Sequence, residues 1–84
     1  MSSFGPTIIE YDHFLLQELQ SLSPRHSDLA IRFNAVMELD EAAGWAIKMS
    51  RGSTYESSSL ANKAKTIALL RAARAEVQNA LNCV

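Results

Sequence analysis

The sequence predicts an all-α fold: a small three-helix up-down-up bundle in which the second and third helices form a long antiparallel hairpin. Three observations lead there. The strongest helix-breaking punctuation falls at two places, Ser23-Pro24 and Arg51-Gly52-Ser53. The segments between them place apolar residues at three- and four-residue spacing, the period of a helix face. Start and stop signals frame each segment.

The first helix is expected over about 7–22. Thr7-Ile8-Ile9-Glu10 follows Pro6 and has the form of a capping box, in which the Thr hydroxyl and the Glu carboxylate each satisfy an orphan N–H. Asp12 is the alternative cap. Residues 1–6 are expected to be a flexible N-terminus. The second helix should span about 24–51, with Pro24 in its first turn and Ser23 or Ser27 as cap. Lys48 and Arg51 suit its C-terminal end, where the helix dipole favours cations, and Gly52 can take the left-handed closing position. Ser53-Thr54-Tyr55-Glu56 forms a second capping box, opening a third helix over about 54–82. Ser57, Ser58 and Ser59 weaken its first turns. There is no internal repeat and no linker.

A chain of 84 residues makes one domain with a thin core, because only roughly 60% of the unfolded surface is lost on folding at this size. Small domains add stability with disulfides, metals or self-association. A single cysteine, Cys83, excludes an internal disulfide, and no Cys/His cluster suggests a metal. Self-association remains. An apolar fraction of 48% with 20% charged residues is a folding composition. No secretory signal is legible at the N-terminus, Cys83 fits no prenylation box, and the longest apolar run, Ile67-Ala68-Leu69-Leu70, is too short for a bilayer. A cytoplasmic protein without membrane attachment is the expectation.

The net charge of −1 conceals an asymmetry. Through Trp45, seven acids face Arg25 and Arg32, a balance of −5; from Ala46 onward, six bases face Glu56 and Glu76, a balance of +4. The halves attract each other, within one chain or between two. Nucleic-acid binders carry a net basic excess, which this chain lacks.

At 100° per residue the first helix carries a stripe of Ile8, Tyr11, Leu15, Leu19 and Leu22. The second carries Leu29, Phe33, Val36, Ala43 and Ile47, and on its opposite side Ile31, Ala35, Ala42, Trp45 and Met49. The third has a bulky stripe of Leu60, Ile67, Leu70, Val77 and Leu81 across from a small-residue stripe of Ala61, Ala64, Ala68, Ala72 and Ala75. Two arrangements accommodate such two-faced helices. Either the second helix uses both stripes inside the chain, one against each neighbour, or a stripe is an intermolecular seam. The seam is the favoured reading, since a Trp-Met patch beside an alanine ridge is costly to leave wet.

No catalytic constellation is legible. His13 and His26 share no metal-ligand spacing with each other or with Cys83, and the serines lack the partners of known nucleophile motifs. There is no glycine-rich phosphate loop, and no cofactor is implied. Glu18 borders the stripe of the first helix and Asp40 interrupts that of the second. In an up-down-up bundle Glu18 falls level with Arg74 and Asp40 with Lys63, so two structural ion pairs are expected. The joint residues Lys48, Arg51, Ser53, Thr54 and Tyr55 place cations, hydroxyls and an aromatic ring at a helix N-terminus, a location suited to an anion or a nucleotide.

The resulting expectation is a small non-enzymatic interaction module: a regulator, adaptor or inhibitor that forms a homo-oligomer and binds another protein. A binder of a nucleotide or other phosphorylated small molecule is the runner-up. A helix-turn-helix DNA binder comes third, because the basic residues of the third helix form no single face.

Overall fold

The computed structural model describes residues 8–22 and 24–83, with side chains from residue 11 onward. Three α-helices, α1 (Ile8–Leu22), α2 (Ser27–Ser50) and α3 (Glu56–Asn82), are joined by a 3-10 turn at Pro24–His26 and by a turn at 51–55. No strand occurs among the described residues. The expected all-α hairpin architecture is the one observed: α2 and α3 pack closely along their lengths, and α1 packs against both. The Thr7–Glu10 capping box, the flexible segment 1–6, the Ser23 cap and the burial of Ile8 lie outside the described residues.

Both joints differ from expectation in detail. Pro24 opens a single 3-10 turn, and α2 begins only at Ser27. Proline supplies a helical φ but no N–H, which suits a tight first turn. At the second joint Gly52 takes φ 75, the left-handed conformation that closes a helix without a Cβ clash. The expected Ser53/Glu56 capping box does not close in its standard form. The Ser53 hydroxyl donates to the Ser50 carbonyl (2.6 Å) and accepts from the Tyr55 N–H (3.1 Å), while the Glu56 carboxylate accepts from the Gly52 N–H (3.4 Å). Two residues of turn are thereby added, and α3 starts at Glu56.

The core sits at one end of the hairpin. Leu15, Leu16 and Leu19 of α1 meet Leu29, Ala30, Phe33 and Met37 of α2 and Leu70 and Val77 of α3. The buried face of α1 is thus Asp12, Leu15, Leu16 and Leu19, at i, i+3, i+4 and i+7. This corrects the expected stripe, because Tyr11 and Leu22 are exposed at its edges. In α3, Leu70 and Val77 are buried and Leu81 is half-buried, but Leu60 and Ile67 are exposed. The reason is length. α1 has 15 residues, about 22 Å of helix, against 27 residues and about 40 Å for α3, so it ends before reaching them.

Candidate functional site

Two buried polar clusters tie the helices together. The first was expected to join Glu18 to Arg74, and the structure corrects it. Arg74 pairs with Asp12, Nε to Oδ1 at 2.7 Å and Nη2 to Oδ2 at 2.9 Å, a bidentate fork. Asp12 is only 1% exposed, whereas Glu18 is half-buried on the flank of α1. Asp12 lies one turn before Leu15 and Leu16 on the same face, so packing those leucines carries its carboxylate to α3. The hydrogen bond that Arg74 donates to Asp12 raises its guanidinium above the ordinary range, against an opposing effect of burial. Beside the fork, Gln78 Nε2 donates to the Tyr11 hydroxyl at 2.9 Å. The i, i+3, i+4 spacing of Asp12 with Leu15 and Leu16 was the signal available in the sequence.

The second cluster contains the expected partners Asp40 and Lys63. Lys63 Nζ lies 2.8 Å from Asp40 Oδ1 and donates to the Asp40 carbonyl oxygen at 2.9 Å. Thr66, which sequence reasoning missed, is buried beneath them, its hydroxyl 2.9 Å from both Asp40 Oδ1 and the Lys63 carbonyl oxygen. Every buried side-chain nitrogen and oxygen among the described residues has a hydrogen-bond partner. Such satisfaction is what an ion pair needs to be tolerated in a thin core. Both clusters have structural geometry, with their polar atoms directed at each other across the helices.

The joint residues proposed for an anion, Lys48, Arg51, Ser53, Thr54 and Tyr55, are all exposed. Their backbone donors are partly engaged, since the N–H groups of Gly52, Ser53, Tyr55 and Glu56 already bond within the turn. The Glu56 carboxylate also brings a negative charge to the place an anion would occupy. Lys48 turns away from the joint and lies over the Trp45 ring, 4.7 Å from its centroid. These two residues, with Asp40, Glu41, Gly44 and Lys63, line an open groove of about 470 Å³.

The apolar faces are decided by exposure. Ile31, Trp45 and Met49 are 68%, 64% and 85% exposed, and Ala35 and Ala42 between them are exposed as well. The second helix therefore does not use both stripes internally; α1 and α3 share the side carrying Leu29, Phe33, Met37 and Asp40. The ridge of Ala61, Ala64, Ala68, Ala72 and Ala75 is likewise wholly exposed. Each face lies across its own helix from the α2–α3 contact, so the two point in opposite directions. Among the described residues, no group of three or more His, Cys, Asp or Glu is placed to hold a metal ion, and no helix is long and apolar enough to cross a membrane.

Compared with family models, curated proteins and solved structures, the chain matches none.

Proposed function

We propose that this protein is a small non-enzymatic interaction module, a regulator, adaptor or inhibitor, that self-associates through an outer helix face and acts by occupying the surface of another protein. The observation that carries the reading is the solvent-facing stripe of Ile31, Trp45 and Met49 on the side of α2 turned away from the core. A lone exposed leucine is ordinary; a tryptophan, a methionine and an isoleucine in one line on a domain of 84 residues form a patch that water solvates poorly. The free thiol of Cys83 suits a reducing, cytoplasmic setting. Light scattering at high micromolar concentration should give a mass above the 9.3 kDa of one chain. At least one of Trp45→Ala and Ala68→Glu, placed on opposite faces, should return it to monomer. A monomeric wild type would end self-association and leave both faces to a foreign partner.

A second reading, binding of a nucleotide or other phosphorylated small molecule, draws support from the groove rather than the joint. There an exposed indole and two lysines face one open space. Calorimetric titration with phosphate, mononucleotides and cyclic dinucleotides tests it; no heat with any of them removes it.

A further inference from the structure

We draw no further inference here: the strongest candidate, the outer face of α2 around Ile31, Trp45 and Met49, is an unpartnered apolar face, and nothing in the structure shows what covers it.

Discussion

The two ends of the α2–α3 hairpin are held together by different chemistry. At the end that α1 covers, Phe33, Leu19 and Val77 are fully buried, and the buried polar contribution is one bidentate fork, Asp12 with Arg74. Past the leucines of α1, where His13 still approaches α2 (3.8 Å from Glu41), the contact consists of Ala43, Gly44, Asp40, Lys63 and Thr66 at its centre and Ser50 and Ser53 at the joint. Three helices enclose a volume in which large apolar side chains lose their water. Two helices enclose only a line, along which small residues and mutually bonded polar groups fit and large apolar ones stay wet. Leu60, exposed on the uncovered stretch of α3, illustrates the second case, and Val77 the first.

The largest expected break in this comparison is at the covered end. Phe33→Ala should cost about 3–5 kcal/mol through lost transfer energy and the cavity left behind. A domain this small has little more than that to lose, so thermal denaturation should find the variant largely unfolded at room temperature. Next comes the fork. Asp12→Ala leaves the Arg74 guanidinium half-buried without its partner and should cost about 3 kcal/mol, while Glu18→Ala, at the position the sequence favoured, should change stability by less than about 0.5 kcal/mol. Equal effects for the two acids in urea melts would count against the fork as a structural element. Its pH dependence has a fixed sign. The Arg74 pKa is raised by folding, so the fork's contribution from this group is complete below the unfolded guanidinium pKa and lost only as pH rises through the folded value, far into alkali. Stability between neutral pH and pH 10 should show no step from Arg74.

At the uncovered end the effects are smaller. Asp40→Ala strands the Lys63 ammonium and the Thr66 hydroxyl and should cost about 2 kcal/mol. Hydrogen exchange should show amides near Ala43 and Lys63 opening before those near Phe33 and Leu70, in wild type and more so in the variant. The smallest change has the opposite sign. A Cβ added at Gly44 would meet Lys63 Nζ at 3.7 Å, an ordinary contact, in a helical backbone. Gly44→Ala should therefore stabilise by about 0.5–1 kcal/mol, and a loss of melting temperature would mean that the uncovered end tolerates no added volume.

Much of the fold was legible because it depends on local chemistry. Pro24 and Gly52 divide the chain at the places where it turns, and three- and four-residue periodicity marks each helix. The pairing of Asp40 with Lys63 was legible too, because the short joint at Gly52 sets the register of two antiparallel helices within a turn. The position of Asp12 was not. Apolar patterning gives the direction of a helix face only to within a few tens of degrees, and Tyr11 and Leu22 pulled the inferred stripe of α1 away from Leu16. Thr66 escaped for a related reason, since a threonine beside a lysine reads as polar surface until a carboxylate is placed over it.

What the sequence by itself determined is the helical class, the two joints, the hairpin register and the existence of a second apolar stripe on α2. Each follows from backbone sterics or from spacing along one element, which the neighbours along the chain settle. What only the tertiary structure decided is which acid meets Arg74 and which stripe of α2 is left in water. Those outcomes depend on the rotation and reach of a 15-residue helix packed on a longer hairpin. They are fixed by close packing of Leu15, Leu16 and Leu19 against Phe33, Leu70 and Val77, contacts between residues far apart in the chain whose geometry no local pattern encodes.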